Sequence, residues 1–276
     1  MNPNKQTELL AFLLLLIFVL LAICLVGALT LGVLHLTAPS PVETESNSET
    51  ESEADTDTSV TPMEVLLEET EDAGTEYIDK MIFFGESTTA HLRARGVLSG
   101  GTETQQVWAD ASNTRMLSSQ TISKPIIYPP TGESITIAEA CKREKPTYLV
   151  LSFGQNGLES FIADKSLYVN NYCKLISAVQ KASPNTNIIL QTVYPICSKG
   201  NYSADLKTLN EYIDTLNTWL PEIAAKYNNV RVVDTASVLK NAENQLNPAY
   251  NDGDGIHLTV SAYEAILNYL RTHAWQ

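Results

Sequence analysis

The chain has 276 residues, enough for one sizeable folded domain with additional segments. Its formal net charge of −14 belongs to the N-terminal part, because residues 1–79 carry 15 acidic side chains and one lysine, whereas residues 80–276 carry 17 acidic and 17 basic side chains. Domains that bind nucleic acids usually have a basic surplus. The balanced charge of residues 80–276 therefore argues against a nucleic-acid partner.

The first element in the chain is an apolar segment, residues 9–34, that contains no charged side chain. It is longer than the ~20 residues that span a bilayer as a helix, and it lacks the small-residue cleavage site of a secretory signal peptide. Lys5 is the only lysine or arginine before Lys80, so the positive-inside rule places the N-terminus in the cytoplasm. We predict a cytoplasmic N-terminus at residues 1–8 and a transmembrane signal anchor at residues 9–36. The protein would then be a single-pass protein of the cell membrane with an extracellular C-terminal domain.

An acidic linker follows at residues 37–75. Up to residue 61 it consists mostly of Ser, Thr, Glu, Asp and Pro, which cannot bury enough apolar surface to offset the chain entropy lost on folding. We predict a disordered, solubilising spacer, with cation binding or spacing within a cell wall as open alternatives. Residues 62–72 include Met63, Leu66 and Leu67, which a short helix resting on the domain would place on one side.

From residue 80 onward, short apolar runs alternate with helical patterns, which is typical of a parallel α/β sheet. The predicted strands are residues 81–84, 106–109, 148–153, 188–192 and 230–233. The predicted helices are residues 88–95, 135–142, 167–181, 204–226 and 260–273. We therefore predict an α/β three-layer sandwich with a five-stranded parallel sheet over residues 76–276, in which ligands bind at the carboxyl ends of the strands.

Three polar stretches follow predicted strands or lie in late connections. The first contains Ser87, at a strand-to-helix turn where its backbone N–H can meet a developing oxyanion, although a serine there can also serve only as a helix cap. The second contains Asn156, in a Gly-Gln-Asn-Gly turn. In the third, Asp254 and His257 are three residues apart, so that the carboxylate can bind one ring nitrogen while the other faces a serine.

This combination of blocks, in this order, resembles the SGNH (GDSL-type) hydrolases over roughly residues 78–276. The resemblance implies a flavodoxin-like fold and a serine esterase without a cofactor or a metal. Ser87 would be the nucleophile, His257 the general base and Asp254 the acid that orients it. The Ser87 N–H and the Asn156 side chain would belong to the oxyanion hole.

The chain departs from the family pattern in three places. Glu86 stands where the family has aspartate before the serine, and Gly157 stands where the family has aspartate after the asparagine. The family's second block supplies a glycine N–H to the oxyanion hole, but its counterpart here, residues 111–114, has no glycine. Asparagine tolerates the left-handed backbone conformation best among other residues. A backbone N–H at Ser112 or Asn113 is therefore the predicted third donor.

Several alternatives remain open at the predicted site. Asp252 could replace Asp254 as the acid, and both aspartates also suit a plain turn or a cation-binding loop. His91 lies one helical turn beyond Ser87, where it could line the mouth of the site or be an ordinary surface histidine.

The cysteines and histidines do not indicate a metal site. There is no CxxC, HxH or HxxxH pair. Cys141, Cys173 and Cys197 cannot all pair within one chain, and we expect buried free thiols.

The sequence therefore predicts an extracytoplasmic serine esterase that removes O-acetyl or other short acyl groups from a cell-envelope glycan. Its partners would be an acylated glycan or another small ester, and the membrane through the N-terminal helix. Two alternatives are kept: a catalytically silent glycan-binding or assembly protein on the same fold, and an O-acyltransferase. A lipid substrate also remains possible.

Overall fold

The computed structural model of the protein describes residues 64–276. The predicted cytoplasmic N-terminus, the predicted transmembrane anchor and most of the predicted linker lie outside the described residues. Among the helices of residues 64–276, none has both the length and the apolar character needed to cross a membrane.

Strands and helices alternate along the described residues. The strands are β1 (Met81–Gly85), β2 (Val107–Trp108), β3 (Ile126–Tyr128), β4 (Glu133–Ile135), β5 (Tyr148–Ser152), β6 (Asn187–Gln191) and β7 (Val230–Val233). The α-helices are α1 (Thr75–Asp79), α2 (Ser87–Ala94), α3 (Ile137–Glu144), α4 (Leu158–Ala163), α5 (Lys165–Ala182), α6 (Leu206–Ala224) and α7 (Val260–Thr272). Short 3₁₀ helices cover Gly101–Glu103, Ser237–Leu239 and Pro248–Tyr250.

The main sheet of residues 64–276 has five strands in the order β2-β1-β5-β6-β7, and every neighbouring pair is parallel. The predicted five-stranded parallel sheet is therefore confirmed. The chain moves from β1 outward to β2 and later returns to add β5 on the other side of β1. This reversal is a topological switch point, which is where open α/β sheets form a crevice at the carboxyl ends of their strands.

Apolar side chains cover both faces of this sheet. Successive residues of a strand point to opposite faces, so Phe83 and Val150 pack with α1, α2 and α7, whereas Phe84 and Leu151 pack with α3, α4, α5 and α6. Helix α6 buries an apolar stripe that includes Leu209, Ile213, Leu216 and Leu220. The two helical layers and the central sheet form the predicted three-layer sandwich.

The structure of residues 64–75 differs from two predictions. The linker does not reach residue 75, and residues 64–72 do not form the helix predicted over residues 62–72. Residues 65–67 pair with β7: Leu66 forms a parallel bridge with Val232, the Leu67 N–H donates to the Val232 carbonyl at 2.8 Å, and the Val232 N–H donates to the Val65 carbonyl at 2.8 Å. Further along, the Thr70 and Ala73 N–H groups donate to the Thr272 and Arg271 carbonyls at the end of α7. Val65 is fully buried. The edge strand offers unpaired backbone groups that an extended segment satisfies, and the folded domain therefore begins upstream of residue 76.

Other differences from the prediction are local. The hairpin of β3 and β4 and the short helices α1 and α4 have no counterpart among the predicted elements. Helix α3 begins at Ile137 instead of residue 135 because the Thr136 side chain caps it by accepting the Glu139 N–H at 3.2 Å. Cys141, Cys173 and Cys197 are free thiols, but only Cys141 is buried as expected, and Cys173 and Cys197 are partly exposed.

Candidate active site

Ser87 is the first residue of α2, at the turn that follows β1. A glycine is required just before this turn, because a Cβ at Gly85 would lie 2.2 Å from the Thr89 Oγ1 and 2.4 Å from the Ser152 carbonyl oxygen. The Tyr263 hydroxyl of α7 donates to the Thr88 carbonyl at 2.6 Å. Strand β1 and helix α7 together hold Ser87 at the carboxyl edge of the sheet, at the topological switch point.

The loop of residues 251–258 carries the predicted acid and base. Its two ends are joined by an antiparallel bridge between Asn251 and Leu258, and the Asn251 Oδ1 accepts the Gly253 and Gly255 N–H groups at 3.0 and 2.7 Å. Gly255 has a φ of 86° and lies so close to Ser198 that a Cβ there would be 2.1 Å from the Ser198 Cβ. The loop is thus closed by its own hydrogen bonds and seated on the segment after β6.

Ser87, His257 and Asp254 form one hydrogen-bonded chain. The His257 Nε2 is 2.9 Å from the Ser87 Oγ, and the His257 Nδ1 is 2.5 Å from the Asp254 Oδ2. The Asp254 Oδ1 accepts the backbone N–H groups of Ile256 and His257, each at 2.8 Å. The carboxylate that binds Nδ1 orients the ring so that Nε2 faces the serine hydroxyl, the geometry of a general base beside a nucleophile.

The surroundings of Asp254 favour its ionised form. Partial burial acts to raise its pKa, but the hydrogen bonds from the His257 ring and from the His257 and Ile256 backbones outweigh it and lower the pKa to about 2. An ionised Asp254 requires the Nδ1 of His257 to carry a proton, which leaves Nε2 of neutral His257 as an acceptor for the Ser87 hydroxyl.

Asp252, the alternative acid, has other partners. Its carboxylate forms an ion pair with Arg95, and its backbone N–H donates to the His257 carbonyl at 2.9 Å. The structure therefore pairs Asp254 rather than Asp252 with the His257 ring.

Glu86 joins the turn before Ser87 to the loop after β5. Its buried carboxyl group accepts the backbone N–H groups of Gly154, Gln155 and Asn156 at 3.0, 3.1 and 3.0 Å. Burial raises the pKa of Glu86 to about 8, and these three N–H groups act to lower it. The sequence showed Glu86 only as a departure from the family aspartate, yet it positions both Ser87 and Asn156.

The side chain of Asn156 faces the loop that follows β2. Its Nδ2 donates to the Arg115 carbonyl at 3.2 Å, which uses one of the two amide hydrogens. Arg115 is itself buried, and its guanidinium donates to the Thr121, Lys124 and Pro125 carbonyls. Asn156 is thereby held from the β5 loop on one side and from the β2–β3 connection on the other.

Ser112 and Asn113 lie on an exposed turn after β2. Asn113 has a φ of 55°, so the expected left-handed conformation is confirmed. However, the Asn113 N–H donates to the Asp110 carbonyl at 3.2 Å, and the Ser112 N–H donates to the Asp110 Oδ1 at 3.1 Å. Both groups are engaged within their own turn, and their part in an oxyanion hole stays a prediction that requires this turn to rearrange.

His91 lies against the triad rather than on an open surface. The centroids of the His91 and His257 rings are 4.5 Å apart, with 32° between the ring planes. This places His91 at the mouth of the site, the first of the two alternatives that its position in the sequence left open.

Two asparagines of α6, which the sequence pattern did not single out, support the segment on which the site is built. Asn217 exchanges two hydrogen bonds with the Val193 backbone, and Asn210 does the same with the Ile196 backbone, all at 2.8–3.0 Å. They hold the segment after β6 on which the 251–258 loop rests. The sequence does contain an indication of this role. Two polar residues, seven positions apart, lie beside the apolar stripe of a helix, and buried polar side chains usually have hydrogen-bond partners.

Within residues 64–276, no cluster of three or more His, Cys, Asp or Glu side chains could hold a metal ion.

The model of the GDSL-like lipase/acylhydrolase family matches residues 83–265, a stretch that contains Ser87, Asn156, Asp254 and His257. The chain belongs to this family. Membership and the hydrogen-bonded triad make the protein a serine hydrolase that acts on ester bonds. The comparison with curated proteins gives no match.

Solved structures similar to this chain include three with low sequence identity. One is a protein from Streptococcus pneumonia described as a platelet activating factor (19% identity, 75% of this chain and 92% of that chain, TM-score 0.49). Another is a carbohydrate esterase of family 3 from Talaromyces cellulolyticus (14% identity, 69% of this chain and 93% of that chain, TM-score 0.43). A third is a peptidoglycan O-acetylesterase (15% identity, 49% of this chain and 38% of that chain, TM-score 0.37).

Glu86 gives a prediction about stability. Replacing it with alanine leaves three backbone N–H groups without their acceptor, and we expect the free energy of unfolding to fall by about 2–4 kcal/mol, measured by urea denaturation. Glu86→Gln keeps one carbonyl oxygen as an acceptor and should lose less.

The same residue predicts a pH effect whose sign follows from its raised pKa. An unfolded chain releases the Glu86 proton near pH 4.3, whereas the folded protein holds it up to pH ~8. The folded state therefore binds more protons between these values, so the contribution of Glu86 to stability falls as the pH rises from about 4 to about 8 and levels off above that. We expect wild type to lose about 1 kcal/mol more than Glu86→Gln between pH 7 and pH 9. Equal losses in the two proteins would show that Glu86 is ionised throughout.

Proposed function

We propose that this protein is an extracytoplasmic serine esterase that removes O-acetyl or other short acyl groups from a cell-envelope glycan through an acyl-enzyme intermediate. The observation that carries the proposal is the hydrogen-bonded chain from the Ser87 hydroxyl through His257 to Asp254. A serine that only caps a helix has no need of this chain.

In the first half-reaction the Ser87 Oγ attacks the ester carbonyl while His257 Nε2 takes the hydroxyl proton. The negative charge on the carbonyl oxygen is received by the Ser87 N–H and the Asn156 amide. Asp254 stabilises the imidazolium. When the tetrahedral intermediate collapses, His257 returns the proton to the sugar oxygen, and the sugar leaves with a free hydroxyl.

In the second half-reaction a water molecule attacks the acyl-Ser87 carbonyl, and His257 Nε2 takes the water proton. Collapse of this intermediate returns that proton to the Ser87 oxygen and releases the carboxylic acid, which ionises at neutral pH. Each cycle thus consumes one ester and one water, and it restores the Ser87 hydroxyl and neutral His257.

The exposure of the site supports a polymeric substrate. The Asp254 side chain is 54% exposed and the His257 side chain is 26% exposed. A chain of sugars can therefore approach Ser87 without entering an enclosed cavity. An open site also offers little apolar surface to a long acyl chain, which favours a short acyl group.

The proposed location rests on the sequence. A transmembrane anchor at residues 9–36 with a cytoplasmic N-terminus would place the domain outside the membrane. As a flexible coil, residues 38–61 of the predicted linker would span about 25–30 Å. Such a span would keep the site away from the lipid surface and within reach of glycans of the envelope.

One observation favours the alternative of a catalytically silent glycan-binding protein. The Ser112 and Asn113 N–H groups, the predicted third donors of the oxyanion hole, are engaged by Asp110. The triad opposes this alternative, because a binding protein has no use for an oriented general base.

The test is to incubate the purified full-length protein with O-acetylated envelope glycan and to measure released acetate. The control is the same glycan after mild alkali, which removes ester-linked acetyl groups and leaves N-acetyl groups in place. We expect acetate from the first material and none from the second. Acetylation of an added sugar acceptor would indicate an O-acyltransferase. Binding of the glycan without acetate release or acyl transfer would support the silent alternative.

A further inference from the structure

His91 and Ser87 share one side of α2. Residues four positions apart on a helix lie one above the other, so the turn that carries the nucleophile also carries the His91 ring. That ring lies against His257, with centroids 4.5 Å apart. The His91 Nδ1 is buried and has no hydrogen-bond partner among the described residues. Packing, rather than a hydrogen bond at Nδ1, therefore holds the ring at this place.

The charged and titratable groups around His91 come from two elements. Arg95 follows α2, while His257, Asp252 and Asp254 belong to the 251–258 loop. Burial lowers the pKa of His91, the charges of His257 and Arg95 lower it further, and Asp252 and Asp254 act in the opposite direction. This lowered pKa favours the uncharged form of the His91 ring, which lies against His257.

The loop that carries His257 needs such support. Asp254, the partner of the ring, is flanked by Gly253 and Gly255 and has an exposed side chain. A general base works only when its nitrogen is held within a fraction of an ångström of the productive position. The His91 ring is the aromatic group that contacts the His257 ring in the part of the chain that the structure describes.

We propose that His91 is a positioning residue for the general base: its ring packs on the His257 imidazole, keeps Nε2 directed at Ser87 and stabilises the imidazolium that forms when the serine proton moves to Nε2. An aromatic face attracts an adjacent cation, so this stabilisation acts on the charged form of His257. The inference rests on the proposed esterase function and adds a residue to its machinery.

Two substitutions of similar size separate this role from simple space filling. His91→Phe keeps an aromatic face and removes the ring nitrogens, whereas His91→Leu keeps an apolar side chain and removes the aromatic face. The chain offers a matched control in His273, which stacks on Tyr269 with ring centroids 3.6 Å apart. His273 lies at the other end of α7 from the site, about 20 Å along the helix.

The experiment measures kcat, KM and the pH profile of kcat/KM for full-length wild type and the three variants on a short aryl ester. We expect His91→Leu to lower kcat about tenfold with KM within twofold, and His91→Phe to lower kcat no more than about threefold. The acid limb of the profile should move down by roughly half a pH unit in His91→Leu, because the imidazolium loses its aromatic neighbour, and should stay in place in His91→Phe. His273→Leu should match wild type in all three measurements.

Equal kcat values and equal acid limbs for His91→Phe and His91→Leu would overturn the proposed role, as would the same losses in His273→Leu. These outcomes leave the esterase function standing, because wild type is then active. A wild-type protein that hydrolyses no ester would overturn the proposed function and this inference with it.

Discussion

Replacement of Ser87 by alanine is expected to lower kcat on a short aryl ester by about 10⁴–10⁶-fold, because the reaction loses its nucleophile. His257→Ala should lose nearly as much, since a serine hydroxyl without a base is a poor nucleophile at neutral pH. The double variant should be no worse than either single variant. Residues that act as one unit, as the 2.9 Å contact between Ser87 and His257 indicates, do not contribute additively.

Covalent labelling gives an independent measurement of the same residue. A serine-directed fluorophosphonate should modify wild type and leave Ser87→Ala unlabelled. Ser99 serves as an internal control, because its hydroxyl is hydrogen-bonded to the Asp79 carboxylate with no histidine between them. Label on Ser87→Ala, or equal slow hydrolysis by wild type and Ser87→Ala, would refute the assignment of Ser87 as nucleophile.

Asn156→Ala is expected to lower kcat by roughly 10²–10³-fold with a much smaller change in KM, because it removes an oxyanion donor and leaves the triad intact. The structure adds a second contribution to this loss, since the Asn156 side chain also ties its loop to the Arg115 carbonyl. Steady-state kinetics on an aryl ester separates the effect on kcat from the effect on KM.

The neighbouring residue provides a matched control for this prediction. Gln155 is buried, and its Nε2 has no hydrogen-bond partner among the described residues. Gln155→Ala therefore removes an amide from the same loop without removing a proposed oxyanion donor, and kcat should change by no more than a few-fold. If the two alanine variants lose equal activity, the loop rather than the Asn156 amide is responsible.

The strands of the main sheet and most of the helices could be predicted from the sequence, because the apolar patterns that indicate them lie within short stretches of the chain. Runs such as residues 149–151 and 188–190 are apolar throughout, which is typical of strands buried on both faces. The 3₁₀ helices have no such run, and the β3–β4 hairpin pairs one short apolar run, residues 126–128, with the mostly polar residues 133–135. The helix expected over residues 62–72 was wrong for the described part, because pairing with β7 outweighs a weak helical pattern.

The candidate site was predictable for a similar reason. Asp254 and His257 are close in sequence, and each of the blocks that carry Ser87 and Asn156 follows its own strand. Parallel strands bring such blocks to one edge of the sheet. The spacing favoured Asp254 over Asp252 as the acid, and the structure supports this choice, because Asp252 forms an ion pair with Arg95, a residue distant in sequence.

The sequence by itself determined the α/β class, the parallel sheet and the identity of the triad, because periodicity and short spacings encode contacts between near neighbours. Only the tertiary structure decided that Glu86 gathers the N–H groups of residues 154–156, that Val65 is buried beside β7, and that His91 faces His257. Each of these contacts joins groups more than 60 residues apart in the chain. A local sequence pattern does not indicate which distant N–H group, strand edge or aromatic ring a residue will contact.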